Sequence, residues 1–351
     1  MMRAVAAPVL ALGAAVLFGL SAPAAKVLTG RADPWMVAGL LYLGSGVGLG
    51  VYRLGRRLAG HQPGETPIRP HDVPWLAAAI LAGGVVGPVL LMFGLATGSA
   101  AASALLLNVE GIFTALLAWF IFREHFDARI AMGMAAIAFG AATLAWDSSR
   151  GVAVDRAALL VGGACLAWAL DNNLTRKVSA SDPVQIAALK GILAGAVNVV
   201  LALARGGELP GIRVLLAAGV VGLLGYGTSL VLFILALRHL GTARTGAYFS
   251  TAPFMGAVTG VIALGEPVTT QLLVAAGLMA IGVWVHLSER HEHEHAHEPL
   301  EHDHLHWHDL HHQHAHAPGT PVGEPHAHPH VHLPLRHGHP HYPDLHHRHR
   351  H

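Results

Sequence analysis

Ten stretches of mostly apolar residues dominate the sequence, at 5–27, 34–52, 73–95, 100–122, 130–147, 157–175, 184–204, 213–236, 243–264 and 270–287. A run of about 20 such residues crosses the bilayer hydrocarbon at roughly 1.5 Å per residue, and a helix pairs its own backbone groups there. An all-α integral membrane protein of ten transmembrane helices is therefore predicted. Composition agrees: 53% of the 351 residues are hydrophobic and only 12% charged, with a mean hydropathy of +0.48, far from the soluble average. Turn and charge signals fall between the segments, in LTGRADP, FREHFDAR, TRKVSASDP, RHLGT and LGEPVTT. Glycine spacings such as Gly44 with Gly48 and Gly83 with Gly87 suit close helix contacts. The single Cys165 excludes an internal disulfide and any cysteine-based metal motif.

The ten segments read as five repeated once. ASALLLNVEGIFTALLAWFIFREHFDARIAMGMAAIAFG aligns with TGAYFSTAPFMGAVTGVIALGEPVTTQLLVAAGLMAIG, placing Glu124 on Glu266 and Gly140 on Gly282. RADPWMVAGLL aligns with ASDPVQIAALK, placing Asp33 and Pro34 on Asp182 and Pro183. FGLSAPAAK of the first segment then pairs with the internal WALDNNLTR. That pairing argues for retention of the first segment, although Arg3, an apolar core and SAPAA would also suit a cleaved signal peptide. The organisation is a first five-helix repeat at 5–147, a linker at 148–156, a second repeat at 157–288 and a tail at 289–351. An odd helix number per repeat inverts the second copy, as in many secondary transporters. With the N-terminus inside, the cytoplasmic side holds eleven basic residues: Arg3, Arg53, Arg56, Arg57, Arg69, Arg123, Arg129, Arg176, Lys177, Arg238 and Arg244. The other side holds six: Lys26, Arg31, Arg150, Arg156, Arg205 and Arg213. Both termini are predicted cytoplasmic.

The duplicated unit, with its repeat endings FREHFDARIAMG and LGEPVTTQLLVAAG, resembles the EamA-type drug/metabolite transporter (DMT) superfamily over roughly residues 5–288. The resemblance implies a carrier of small metabolites in a bacterial-type inner (cell) membrane, often an exporter, with a central site between the repeats and alternating access. Proton coupling is common there. Gly265 and Glu266 fit the family's repeat ending, whereas the first copy has Arg123 and Glu124. Pro253 fits the proline of the ninth helix, and the first copy has Glu110 or Gly111 in that place. The family often carries a basic residue where Lys190 stands; the first-repeat counterpart is Leu41.

An ionisable group at mid-bilayer costs at least about 2.5 to 3.5 kcal/mol, so each needs a partner, a cavity or a function. Glu110 is the deepest acid, about ten residues from either end of the fourth segment and hence roughly 15 Å in. Ser103, Glu110 and Thr114, seven and four apart, share one helical face. That stripe is predicted to face a cavity with Glu110 as a proton-accepting or cation-binding group; an acid hydrogen-bonded to a neighbouring helix is the structural alternative. Lys190 lies at a depth similar to that of Asp171, Asn172 and Asn173. An Asp171–Lys190 pair would cut the insertion cost of both charges. Alternatively, Lys190 holds an anionic group of a substrate while Asn172 or Asn173 bonds its other polar atoms. Tyr248, Trp168 and Asn198 suit a pocket or plain packing. Glu124 and Glu266 are expected as caps or loop anchors, and Lys26 as a side chain snorkelling to the outer surface.

The tail holds 23 of the 28 histidines and eight prolines, with no sustained apolar period. Disorder is predicted. His291, His293, His295, His297, His302, His304, His306, His308, His311, His312, His314 and His316 are candidate ligands for zinc, nickel, copper or cobalt. Spacing of two implies soft multivalent binding rather than a preformed tetrahedral site. No GxxxxGK[ST] motif, catalytic triad or nucleic-acid motif is present, so no enzyme, required cofactor or nucleic-acid partner is expected. The expected partners are the lipid bilayer, a small-molecule substrate and divalent metal ions, with a homodimer left open. Three functions follow: a secondary carrier, in all three cases embedded by the same helices, of an amino acid or related metabolite; a divalent metal exporter or metal-regulated carrier; and a metal-binding membrane scaffold without transport.

Overall fold

The computed structural model describes residues 2–60, 67–122, 128–147, 153–178 and 181–287, with four short segments beyond them at 292–296, 300–306, 326–332 and 336–340. The helices are α1 (Met2–Thr29), α2 (Pro34–Leu58), α3 (Val73–Ala79), α4 (Gly87–Thr97), α5 (Ala100–Leu106), α6 (Val109–Phe122), α7 (Ala128–Ala145), α8 (Arg156–Val178), α9 (Pro183–Ala204), α10 (Ile212–Val221), α11 (Ser229–Phe249), α12 (Ala252–Leu264) and α13 (Thr270–Leu287). A π-helical stretch, Ile80–Val86, joins α3 to α4, and a second, Gly222–Thr228, joins α10 to α11. Among the described residues, seven helical runs are long and apolar enough to cross a membrane, and three shorter apolar helices accompany them. The two Asp-Pro pairs act alike. Asp33 accepts from the N–H groups of Trp35 and Met36 at the start of α2, Asp182 from those of Val184 and Gln185 at the start of α9, and each proline follows its cap.

Polarity is arranged for lipid. Phe120, Phe139, Ile262 and Trp284 are each at least 67% exposed, whereas Asn108, Asp171, Lys190 and Asn198 are buried. A surface of such side chains is unsuited to water and suits hydrocarbon. Packing is reciprocal between the two halves of the chain. Helix α1 lies against α11 and α12, while α8 lies against α4 and α6; α2 packs on α9, and α7 on α13. The α2–α9 contact is backbone to backbone: a Cβ on Gly195 would come within 2.5 Å of the Leu43 nitrogen and one on Gly39 within 2.8 Å of the Val199 nitrogen. Small residues permit that approach.

Two local features differ from the apolar-segment reading. The fourth segment is interrupted at Leu107–Asn108, between α5 and α6. The RHLGT connection expected between the eighth and ninth segments is helical within α11, since it lacks proline and its arginine, leucine and alanine neighbours favour helix. The chain nevertheless reverses there. The rings of Phe233 and Phe249 have centroids 4.8 Å apart, whereas a straight helix would separate them by about 24 Å. In the tail, the described segments form strands. After the short pair β1 (Trp146–Asp147) and β2 (Ala153–Val154), β3 (Glu292–Ala296) pairs antiparallel with β6 (Arg336–Pro340), and β4 (Leu300–His306) with β5 (His326–His332). Alternation of histidine with other residues has the period of a strand.

Candidate functional site

Helix α8 brings its polar residues onto one face through the spacing of Trp168, Asp171 or Asn172, and Thr175. Asp171 and Lys190 form a sealed ion pair, 7% and 4% exposed. The Lys190 ammonium donates to both Asp171 oxygens at 2.6 and 2.7 Å and to the Thr175 hydroxyl at 3.2 Å. Thr175 in turn donates to Asp171 at 2.8 Å. All three lysine donors are thereby used. The space for Asp171 comes from Gly83 in the first π-helical stretch, where any Cβ would overlap the carboxylate. The uncovered carbonyls of that stretch take side-chain donors. Gly83 accepts from the Tyr42 hydroxyl at 2.7 Å and the Trp168 indole at 2.9 Å, and Gly84 accepts from the Asn198 amide at 3.0 Å.

Glu110 lies nearby in a different setting. It sits at the start of α6, immediately after the turn at Leu107–Asn108. The helix stays hydrogen-bonded through that turn, the Glu110 N–H donating to the Leu107 carbonyl at 3.1 Å and the Gly111 N–H to that of Asn108 at 3.2 Å. The Asn172 amide donates to it at 2.6 Å. Glu110 is only half-buried and Asn172 exposed, and among the described residues no lysine or arginine pairs with this acid. The neighbouring carboxylates thus differ: Asp171 is neutralised and enclosed, whereas Glu110 is held by one amide.

Aromatic rings line the middle of the bundle. Phe18 meets Trp168, Tyr226 and Phe249 with centroids at 6.0, 5.9 and 5.4 Å, and Tyr42 meets Tyr226 at 5.4 Å. The Tyr226 hydroxyl and the Asn198 amide oxygen are buried without a protein partner.

The model of the EamA-like transporter family matches twice, at residues 6–146 and 155–288. This chain belongs to the EamA-like transporter family. An uncharacterized transporter of Methanothermobacter thermautotrophicus is 28% identical over 298 residues, covering 78% of this chain and 83% of that protein. Solved structures resemble the fold, among them a crystal structure with a TM-score of 0.58 at 16% identity over 80% of this chain and 95% of that one.

Within this EamA-like transporter the sequence-derived candidates separate. Asp171, Asn172, Lys190 and Glu110 gather between α6, α8 and α9, while Asn173 is buried with its amide turned back to the Ala169 carbonyl at 2.8 Å. Ser103 is separated from Glu110 and Thr114 by the turn at Leu107–Asn108, through which i→i+3 backbone bonds carry the helix on. Ser103 lies on α5, buried beside Gly98, whereas Thr114 shares α6 with Glu110 and has a buried hydroxyl without a partner. Tyr248 lies in the last turn of α11, its carbonyl accepting from Thr251 at 2.7 Å. Tyr42 and Tyr226 were not singled out by sequence; a lone tyrosine inside an apolar segment is the signal that marks them. The second half shows what α8 adds. In the repeat register Phe18 answers to Trp168, Ser21 to Asp171 and Leu41 to Lys190, and Ser21 packs against Gly225 of the second π-helical stretch much as Asp171 packs against Gly83. The charged pair belongs to one half alone.

At the predicted outer end, Lys26 reaches the C-terminal end of α4. Its ammonium donates to the Leu95 and Gly98 carbonyls at 2.5 and 2.7 Å, capping the end of α4. Glu266 is an anchor, as expected, accepting from the Ser99 hydroxyl and the Ala100 and Ala101 N–H groups; Glu124 lies outside the described residues. Of the tail ligands, His293, His295, His302, His304 and His306 fall on β3 and β4, with backbone positions opposite His339, His337, His330, His328 and His326. The other named tail histidines lie outside the described residues. Among the described residues, no group of three or more His, Cys, Asp or Glu is placed to hold a metal ion.

Proposed function

We propose that this EamA-like transporter is a secondary carrier that exports an amino acid or related metabolite across the cell membrane by alternating access, exchanging it for protons at Glu110. In this reading the seven long helical runs and three shorter ones make ten crossings, the two five-helix repeats are inverted, and both termini are cytoplasmic. The observation that carries it is the contrast between the two acids. Asp171 is committed to Lys190, so a proton placed there would strand a buried lysine charge. Glu110 can exchange its charge for a proton while Asn172 still holds it, because a carboxylic acid keeps an accepting oxygen.

The substrate lies, in this reading, beside Glu110 and Asn172 and reaches the aromatic wall of Phe18, Trp168, Tyr226 and Phe249. Lys190 meets an anionic group only in a conformation that has parted it from Asp171. The tail binds divalent metal as an accessory: the strand registers bring histidines opposite histidines, whereas the described membrane helices gather no ligand cluster. Flux in reconstituted vesicles, across a panel of amino acids, related metabolites and divalent metals, tests this reading. Movement of metal with no movement of any organic solute would replace it with a metal exporter.

A further inference from the structure

Where α4 gives way to α5, the chain turns at Gly98 and Ser99, and two distant segments grip that turn. From α1, Lys26 donates to the Leu95 and Gly98 carbonyls at 2.5 and 2.7 Å. From the turn after α12, Glu266 accepts from the Ser99 hydroxyl at 2.7 Å and from the Ala100 and Ala101 N–H groups at 2.7 and 2.8 Å. Gly265, at φ +66°, makes the left-handed turn that delivers Glu266. Gly260 leaves the room: a Cβ there would stand 3.0 Å from the Ala101 nitrogen and 3.3 Å from the Glu266 carboxylate. Each charge matches the partial charge of the helix end it meets.

Lys26 and Ser99 belong to the first half of the chain and Glu266 to the second. The contact therefore bridges the halves that must move apart if the outer face is to open.

We infer that Glu266 and Ser99, braced by Lys26, form the outer gate of the carrier, closed in this structure and released when the two halves part. The inference rests on the carrier reading. Protons do not work the outer gate near neutral pH. Burial pushes the Glu266 pKa up, but the N–H of Ala101, the Ser99 hydroxyl, the N–H of Ala100 and the Lys26 charge outweigh it and hold the acid below its ordinary 4.5. Lys26 is the charged group facing it; Ser99, Ala100 and Ala101 carry none. Its stabilising contacts are full above the ordinary value and are lost only as pH falls through the depressed one. Substrate binding, rather than acid, must open this gate.

The test uses the full chain in lipid vesicles with Cys165→Ala and spin labels at Thr97 and Val268, both exposed. Pulsed distance measurement should show a dominant short distance in the parent. Glu266→Gln should move the short-to-long ratio toward long by about tenfold, the scale of losing charge-assisted bonds. Ser99→Ala, which removes one donor of three, should shift it the same way by less, and keeps the test open if Glu266→Gln fails to fold. An unchanged distribution in both outer variants, with only a lower melting temperature, would show a structural cap and overturn the gate. Flux on the same vesicles separates the two ideas: unchanged distances in a protein that transports sink the gate alone, while shifted distances without transport leave the gate standing and count against the carrier.

Discussion

Lys190 and Asp171 show how a membrane interior tolerates charge. Each would be costly alone, and together with Thr175 they satisfy one another at 2.6 to 3.2 Å. Removing one partner leaves the other buried and uncompensated, so Lys190→Met or Asp171→Asn should each lower stability by about 3 to 5 kcal/mol. The double variant should recover most of that loss, as read by thermal unfolding in detergent. A double variant as unstable as the singles would mean that the pair does not act as a unit. The sequence made this pair legible because two opposite charges at similar depth in consecutive segments need each other. It did not reveal that Asn172 serves Glu110, since three adjacent polar residues, Asp171, Asn172 and Asn173, point around a helix in directions that only the packing of α6 and α9 distinguishes.

At the scale of elements, hydropathy located the apolar segments well because lipid demands long apolar runs. It could not see how those runs are interrupted. The break before α12 is marked by Ser250, Thr251 and Pro253, whereas the equivalent break before α6 occurs in LLLNVEG with only Asn108 as a weak signal. The π-helical stretches leave no hydropathy trace, since ILAGGVV and GLLGYGT are apolar whichever way the helix is wound. Their glycines carry the information instead. Gly83 has no room for a Cβ beside Asp171, so Gly83→Ala should destabilise the protein by about 1 to 3 kcal/mol or more through overpacking. Gly111, which faces open space, is the control, and Gly111→Ala should raise or leave unchanged the unfolding temperature. Equal losses at the two positions would argue against the tight seam between the first π-helical stretch and α8.

The whole molecule divides its labour between the helical bundle and the histidine-rich tail. Ending the chain after residue 290 removes all 23 tail histidines and should abolish most zinc or nickel binding, measured by calorimetry on the purified protein, while metabolite flux continues. Loss of all flux on truncation would show that the tail is part of the transport machinery. The bundle's own claim rests on Glu110, the acid that no cation neutralises among the described residues. It is tested most directly by solute flux in reconstituted vesicles under an imposed pH gradient, comparing the parent with Glu110→Gln. The glutamine keeps an acceptor for Asn172 and cannot change charge, so the variant should fold and insert normally yet lose gradient-driven flux. Gradient-driven flux equal to that of the parent would contradict the account and remove Glu110 from the mechanism.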